Sequence, residues 1–216
     1  MSITKEELVR CIETIAPKEL MESWDNTGIQ LDVGHREINR ILVCLDICSE
    51  TIEEAIEEDC EYIISHHPLM FSPIQRVSKE DAVGRYLIKL IRNNISVYSS
   101  HTSFDSTAGG NNDFLAEKLG LREVDTPEEE PVMRAGILPE PVSLGCDVLV
   151  TGDVKYHEFQ RAEQLGIALI DAGHYETEIF FNENMAEKLQ QALGGSARVI
   201  PSKTQPNCLK KFAGMV

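Results

Sequence analysis

The chain has 216 residues, of which 42% are hydrophobic and 26% are charged, as in ordinary soluble globular proteins. Its 36 acidic residues outnumber the 20 lysines and arginines, which gives a formal net charge of −16. Such a chain lacks the positive surface that non-specific binding to nucleic acid or to an anionic membrane requires, so neither partner is expected.

The sequence also bears on where the protein resides. No apolar run reaches the ~18 residues of a membrane span, and the first residues, MSITKEELVR, contain no apolar signal segment. The cysteines form no C-x-x-C pair and are too sparse for a disulfide scaffold. We therefore expect buried free thiols in a reducing compartment, the cytoplasm. The six cysteines are Cys11, Cys44, Cys48, Cys60, Cys146 and Cys208.

In the first half of the chain, short apolar strands alternate with amphipathic helices. The stretch Thr4–Glu7 reads as a capping box that opens a helix ending near Ile15. Apolar, β-branched runs predict strands at 40–47, 62–65 and 95–100. Further helices are predicted after a Ser49 cap, over 80–92, and from an Asn111 or Asn112 cap to about Leu119.

The alternation resumes after a different kind of segment. Residues 124–145 are rich in Pro and Glu and predict a connector that contains one short strand. The elements predicted beyond it are strands at 147–151, 167–171 and 197–201 and helices near 155–165 and 176–192. Together the elements predict an α/β fold with a largely parallel sheet and flanking helices.

Most of the histidines cluster at the ends of predicted strands. Loops at the carboxyl ends of parallel strands line one crevice, so segments far apart in sequence are expected to meet there. The sixth histidine, His35, is expected in a solvent-exposed loop. The five strand-end histidines are His66, His67, His101, His157 and His174.

Three of these histidine segments also carry a carboxylate at a spacing of four residues, which places two side chains on one face of a helix. Imidazole and carboxylate without a nearby cysteine suit Zn, Mn, Fe, Co or Mg, and there are ligands enough for two ions. A single such pair is usually a plain hydrogen-bonded pair, but repetition across the strand ends favours a metal site. The pairs are His101 and Asp105, Asp153 and His157, and His174 and Glu178.

Other motifs are weaker or absent. The chain has no phosphate-binding P-loop, no strand-linked G-x-G-x-x-G and no serine nucleophile elbow. The stretch ESWDNTG (22–28) reads as a structural turn, although Asp25 and Asn26 could line a cleft. The stretch STAGGNND (106–113) reads as a flexible turn or as an anion-binding set of backbone amides.

Four stretches resemble the type-2 GTP cyclohydrolase I homologues, also called the NIF-three-like proteins. They are ESWDNTGIQLDVG, ISHHPLMF, SSHTSFDSTAGGNNDFLAEKLGL and VTGDVKYHEF…LIDAGHYETE. The resemblance extends over residues 4–122 and 146–192, and it implies a dinuclear metal centre with two divalent ions per chain.

The resemblance also implies which residues hold the ions. The implied ligands are His66, His67, Asp105, His174 and Glu178, and the two carboxylates among them are the expected bridges. The resemblance places His101, Asp153 and His157 near the site, in contact with the ligands or the substrate. We expect His101 or Asp153 to shuttle protons.

The fold implied by the resemblance is α/β with two interleaved lobes, assembled as a toroidal homohexamer. The lobes would cover approximately 1–123 and 146–216, joined by the connector 124–145. Members of the family usually have a longer stretch between Gly120 and the TGD strand, whereas here MRAGILPEP runs almost directly into SLGCDVLV. We therefore expect the second lobe to be shortened.

Two functions follow from this interpretation, and a third reading discards it. The chain is a metal-dependent hydrolase of a small, nucleotide-like substrate, or it is a non-catalytic metal-binding protein that regulates or contacts a partner. In the third reading it is a plain α/β domain whose histidines are incidental. An open coordination position would separate the first two functions, and the metal content would test the third.

Overall fold

The computed structural model describes residues 2–139 and 147–204. The predictions for Cys146 and Cys208, the end of the predicted connector and the final residues of the predicted second lobe lie outside the described residues. The described strands are β1 Gly28–Leu31, β2 Arg40–Cys44, β3 Tyr62–Ser65, β4 Ser96–Ser99, β5 Arg122–Asp125, β6 Ala135–Ile137, β7 Val148–Thr151, β8 Ala168–Asp171 and β9 Arg198–Pro201.

Helices alternate with most of these strands, as predicted, but β1 and β2 follow each other without a helix, as do β5 and β6. A short 3-10 turn, Lys18–Leu20, follows the first helix. The α-helices are α1 Lys5–Ile15, α2 Ser49–Glu57, α3 Ala82–Arg92, α4 Thr102–Ser106, α5 Asn111–Lys118, α6 Tyr156–Leu165, α7 His174–Glu178 and α8 Phe181–Ala192.

The centre of the molecule is a five-stranded sheet with the order β1-β4-β3-β2-β9. Strands β2, β3, β4 and β9 are parallel, and only β1 runs antiparallel, against β4. The α/β prediction with a largely parallel sheet is therefore confirmed. The ends of β3 and β4 lie side by side, since Ser65 is paired with Ser99.

Both faces of this sheet are buried at its central strands β2 and β3, which explains why these two strands are largely continuous apolar runs. Along β2, Ile41 and Val43 face a core formed with α1 and α8, whereas Leu42 and Cys44 face a core formed with α2 and α3. Successive side chains on a strand point to opposite faces, so one five-residue strand supplies both cores.

The capping box predicted at the N-terminus is present. The Thr4 hydroxyl accepts a hydrogen bond from the Glu7 amide at 3.2 Å, and the Glu7 carboxylate accepts one from the Thr4 amide at 2.8 Å. The apolar face of the helix buries Leu8 and Ile12 against the sheet. The predicted end at Ile15 also agrees with the structure.

The part of the described chain that contains β5–β8 and α6 is much thinner than the five-stranded sheet and its helices. Strands β5 and β6 form an antiparallel pair, β7 and β8 form a separate parallel pair, and no residue of α6 is buried. Several large apolar side chains of these elements are exposed, among them Leu149, Phe159, Leu165 and Ile170. Within residues 2–139 and 147–204, no helix is both long and apolar enough to cross a membrane.

Several element boundaries differ from the prediction. The turn expected at 22–28 leads into the edge strand β1, and the short helix α4 follows β4 directly. The predicted helix 176–192 begins earlier, at His174, and is interrupted before Phe181. The connector contains β6 and the end of β5, whereas only one strand was expected.

Local capping also departs from the expectation at two helices. Cys48 caps α2, because its sulfur accepts a hydrogen bond from the Thr51 amide while the Thr51 hydroxyl accepts one from the Cys48 amide. Gly110 is the residue before α5, and Asn111 is the first residue of that helix. His35 is half-buried, so its predicted full exposure is wrong.

Candidate metal centre

Two adjacent histidines leave β3 at the edge where its neighbours also end. His66 and His67 follow Ser65, the last residue of the strand, in a bend that no longer has the alternating geometry of a strand. Their ring centroids are 5.1 Å apart. The backbone amides of both residues still pair with the end of β2, at Cys44 and Leu45, which fixes the bend against the sheet.

The two rings face different parts of one acidic cleft. Nε2 of His67 lies 2.8 Å from Oε2 of Glu178 and 3.3 Å from Nε2 of His174. Nε2 of His66 lies 3.6 Å from Oδ2 of Asp105 and 3.9 Å from Oε1 of Glu178. The two oxygens of Glu178 are therefore directed at different histidines, and the carboxylate lies between them.

One ring nitrogen of the buried His66 has no hydrogen-bond partner among the described residues. Its Nδ1 is 3.0 Å from the carbonyl oxygen of Ser100, but its Nε2 has no hydrogen-bond partner within the described part of the chain. A buried polar atom without a partner is costly. Ligands of one ion at about 2.1 Å lie roughly 3–3.5 Å from each other, close to the separations around this nitrogen.

Each imidazole in the cleft has a hydrogen-bond partner at its Nδ1 atom. Asp46 lies 2.7 Å from Nδ1 of His67, Asp153 lies 2.6 Å from Nδ1 of His174, and Asp25 lies 2.8 Å from Nδ1 of His101. Such contacts fix the orientation of a ring and leave Nε2 for a ligand, as in many metal sites. The four rings that share this arrangement are His66, His67, His101 and His174.

The described residues contain two groups of atoms close enough to hold an ion. In each group the ligand atoms lie within 4.8 Å of one another. The groups share His67, and they consist of His66, His67 and His101 in one case and His67, His174 and Glu178 in the other.

Asp105 comes to the cleft from α4, the short helix at the end of β4. Its Oδ1 accepts a hydrogen bond from the Asn111 amide group at 3.1 Å, which leaves Oδ2 directed at His66. Gly110 allows this arrangement, because a Cβ there would lie 1.8 Å from the carbonyl oxygen of Phe104. The Gly109 amide is bonded to Asp113, which favours the turn reading of this loop.

The electrostatics of the cleft favour a positive charge at its centre. Burial opposes protonation of His67, but hydrogen bonds to Asp46 and Glu178 outweigh it and raise the pKa of His67 to about 10. The hydrogen bond to Glu178 raises the pKa of His174 to about 9. Burial opposes ionisation of Glu178, yet its contacts with the histidines hold the pKa of that carboxyl below its usual value.

Asp25 shows the same balance on the other side of the cleft. Its side chain is fully buried and accepts hydrogen bonds from the hydroxyls of Thr27 and Thr102 at 2.8 and 2.6 Å. Burial opposes its ionisation, but these bonds and the contact with His101 lower the pKa of Asp25. The position of Asp25 fits the cleft reading of ESWDNTG.

The structure does not bring every candidate residue to the cleft. His157 is exposed on α6, where its Nδ1 contacts Gln160 at 2.9 Å. Asp153 contacts His174 from the outer side of the ring, in a position that orients the histidine. Asp46 belongs to none of the histidine motifs, so it was not singled out from the sequence. It nevertheless follows the end of β2 as the histidines follow the ends of their strands, and a search for carboxylates at strand ends would have found it.

Comparisons with known proteins agree with this architecture. The family model Duf34/NIF3 (NGG1p interacting factor 3) matches residues 3–145 and 137–208. The chain is 30% identical over 249 aligned positions to a GTP cyclohydrolase 1 type 2 homolog of Clostridium perfringens, with 91% of this chain and 95% of that protein covered. It is 34% identical to the GTP cyclohydrolase 1 type 2 of Helicobacter pylori strain J99, over 88% of this chain and 92% of that protein.

Solved structures show the same fold. Reduced HcgD from Methanocaldococcus jannaschii superposes with a TM-score of 0.79 at 27% identity, covering 93% of this chain and 98% of that one. A Bacillus cereus protein related to NIF3 superposes with a TM-score of 0.87 at 18% identity, covering 96% and 99%. The protein is thus an α/β protein with a histidine- and carboxylate-lined cleft at the strand ends. It belongs to the Duf34/NIF3 family, and the resemblance found in its motifs is confirmed.

The comparisons also bear on the shortened second lobe. The alignment with the C. perfringens relative is longer than the 216 residues of this chain, so that relative contains segments with no counterpart here. The two matches of the family model meet at residues 137–145, the place where the missing segment was expected.

Proposed function

We propose that this protein binds two divalent metal ions and uses them to hydrolyse a small, nucleotide-like substrate. The observation that carries the proposal is the Glu178 carboxylate, which presents one oxygen to His66 and the other to His67 and His174. Asp105 adds a second carboxylate on the His66 side. The metals proposed are Zn, Fe, Mn, Co or Mg, all of which accept this donor set.

The donor set supports hydrolysis in particular. Bound ions of this kind lower the pKa of water and polarise the bond to be cleaved. His101 would take or return a proton at Nε2, because Asp25 occupies its Nδ1. Asp153 and Asp46 would orient the rings of His174 and His67 through their contacts at Nδ1. A positioning role for Asp153 therefore has more support than a proton shuttle.

The reaction class also has support from the relatives, which carry the name GTP cyclohydrolase 1 type 2 or its homolog. We carry over hydrolysis and a nucleotide-like substrate as part of the proposal, without the triphosphate, for which the sequence contains no P-loop.

The metal part of the proposal is tested by elemental analysis of metal-loaded protein. Wild type is expected to hold two ions per chain, and Glu178→Gln is expected to lose most of both because it removes a shared ligand. Glu183→Gln, an exposed position on α8, is the matched control and should keep both ions. A wild-type content near zero would contradict the proposal.

The alternative is a non-catalytic metal-binding protein that acts on a partner, and the exposed apolar side chains of β7, β8 and α6 favour it. Asp25→Asn separates the two functions. A hydrolase should lose about a hundredfold or more in turnover, since His101 loses its anchor, while the metal content stays unchanged. Nucleotides, phosphoesters and cyclic amides would be screened, and no turnover by metal-loaded wild type would favour the alternative.

We also propose a homo-oligomer, the toroidal hexamer that the family resemblance implies. The same exposed apolar side chains support further burial between chains. Light scattering should then give six times the mass of one chain, and a monomeric mass at micromolar concentration would contradict the hexamer.

A further inference from the structure

Two large aromatic side chains stand exposed beside the candidate metal centre. Trp24 is 57% exposed and Phe71 is 56% exposed, although aromatic side chains usually bury most of their surface. Their ring centroids are 5.8 Å apart. Each ring also stands edge-on to His101, at 6.0 Å for Trp24 and 6.4 Å for Phe71.

The loops that carry these rings are tied to each other by hydrogen bonds. The Asn26 side chain donates to the carbonyl oxygen of Met70 at 2.6 Å, and the Met70 amide donates to the Gln30 side chain at 3.1 Å. The Gln30 amide group donates back to the carbonyl oxygen of Asn26 at 2.7 Å. The bonds fasten the residue before Phe71 and a residue two positions from Trp24, so the loops that carry the two exposed rings are fixed relative to each other.

The same loops also supply parts of the cleft. Asp25, which anchors His101, is the neighbour of Trp24, and Phe71 lies four residues after His67. The Glu22 amide is bonded to the Thr102 hydroxyl at 2.9 Å, which closes the turn onto α4. The aromatic pair is therefore fixed relative to the imidazole cluster, and it presents apolar ring surface next to a polar, acidic site.

We propose that Trp24 and Phe71 form an aromatic wall on which a planar aromatic or heteroaromatic ring of the substrate stacks. This inference rests on the proposed hydrolytic metal centre and adds the class of substrate that the centre takes. A ring stacked there would lie beside His101, with its reactive group towards His66 and His67. A saturated ring of similar size would lack the flat face that stacking requires.

The test compares two probes that share a carboxylate for the metals and a ten-carbon bicyclic frame. They are 2-naphthoate, which is planar, and trans-decahydronaphthalene-2-carboxylate, which is not. Both are titrated calorimetrically into zinc-loaded protein. Stacking is worth about 1–3 kcal/mol per ring, so 2-naphthoate should bind about fivefold tighter or more. Plain hydrophobic adsorption would favour the saturated probe, which has more apolar surface.

The single tryptophan provides a direct spectroscopic signal. Trp24 is the only tryptophan of the chain, so the protein has one indole N–H resonance. 2-Naphthoate should shift this resonance by its ring current, and the saturated probe should not. Equal affinities of the two probes, or an unmoved indole resonance with bound 2-naphthoate, would overturn the aromatic wall.

The variants locate the effect. Trp24→Leu and Phe71→Leu should each reduce the preference for 2-naphthoate by about fivefold or more, and Phe159→Leu on α6 is the matched control that should retain it. An unchanged preference in both test variants, or a loss of oligomeric mass without a change in preference, would overturn the proposal. Zinc content is measured in every sample: wild type without zinc refutes the metal centre, whereas zinc uptake with equal affinities refutes the aromatic wall alone.

Discussion

Asp46 shows how a residue outside the ligand set can determine the site. Its carboxylate holds Nδ1 of His67 at 2.7 Å and directs Nε2 into the cleft. We predict that Asp46→Asn weakens metal binding by about 10- to 100-fold, because the ring loses its charged partner and its orientation. Competition with a chelator of known affinity measures the effect.

Asp32→Asn is the matched control for this substitution. Asp32 pairs with Lys5 at 2.7 Å on the surface. The metal affinity of the Asp32→Asn protein should equal that of wild type. If both variants bound metal as wild type does, the Asp46 contact would have no part in holding the ions.

Glu54 is a residue whose contribution depends on pH. It accepts hydrogen bonds from the Ser202 hydroxyl at 2.5 Å and from the Lys203 amide at 2.8 Å, which fastens the chain after β9 to α2. Partial burial works against ionisation, but these bonds lower the pKa of Glu54 from its ordinary value near 4.5. A lowered carboxyl pKa means that the folded state is favoured above pH 4.5 and loses this contribution as the pH falls through the lowered value.

We therefore predict that Glu54→Gln lowers the free energy of unfolding by about 1 kcal/mol at pH 7. The difference from wild type should shrink as the pH falls below 4.5 and through the lowered pKa of Glu54, and urea unfolding at neutral and acidic pH measures it. Glu53→Gln, in a surface pair with Lys89, is the control and should change little at either pH. A difference that grew on acidification would contradict the assigned role of the charge.

At the scale of elements, the loop after β7 depends on a glycine. A Cβ at Gly152 would lie 2.8 Å from both the backbone nitrogen and the Cα of His174. These are backbone atoms, so Gly152→Ala must push the loop away from α7 and disturb the contact between Asp153 and His174. We predict at least a tenfold loss of metal affinity, again measured by chelator competition.

Gly166→Ala separates this effect from a general loss of stability. Gly166 has a φ of +71°, so an alanine there is strained by about 1 kcal/mol, but its Cβ would meet no atom within 4 Å among the described residues. It should lower the melting temperature slightly and leave metal affinity unchanged. Equal losses of metal affinity in the two variants would mean that stability alone governs binding.

The elements also show what the sequence can and cannot predict. Strand β3 and the helix α1 were foreseen because burial on both faces and a capping box leave direct traces in the residues. The edge strand β1 was not, because its four residues, GIQL, owe their conformation to pairing with β4. The same applies to α4, whose five residues are too few for a periodic pattern.

The histidines and carboxylates of the site were predictable from motifs because they follow strand ends. Asp46 also follows a strand end, but its contact with His67 joins residues 21 positions apart, so the sequence alone does not show which imidazole it orients. The pairing of Trp24 with Phe71 depends on two loops meeting, and only the folded chain shows it. Sequence patterns report local periodicity, whereas these contacts arise from tertiary packing.

At the scale of the whole molecule, the cleft joins a well-packed part of the chain to a thin one. His66, His67 and Asp105 come from the ends of the five-stranded sheet, whereas His174 and Glu178 come from α7, next to the thin β7–β8 pair. The following helix, α8, packs on β2, β9 and α1. The proposed ions would thus tie β7, β8 and α6, none of which has a buried residue, to the well-packed part of the chain.

We predict that chelation of the metals loosens β7, β8 and α7 selectively. Amide hydrogen exchange in β7, β8 and α7 should accelerate, by roughly a hundredfold relative to protein kept at a free metal concentration 100 times the Kd. Exchange in β2, β3 and β4 should not change, because those strands are buried on both faces and contain no proposed ligand. Hydrogen exchange followed by mass spectrometry resolves these segments.

Two variants complete this experiment. Glu178→Gln with metal present should show the pattern of chelated wild type, and Glu183→Gln should behave as metal-loaded wild type. Uniform acceleration throughout the described chain would mean that the ions stabilise the entire fold and do not act as a local tie. No acceleration anywhere would contradict a tie between the ions and β7, because the proposed coupling runs from the ions through His174 to Asp153 and the β7 loop.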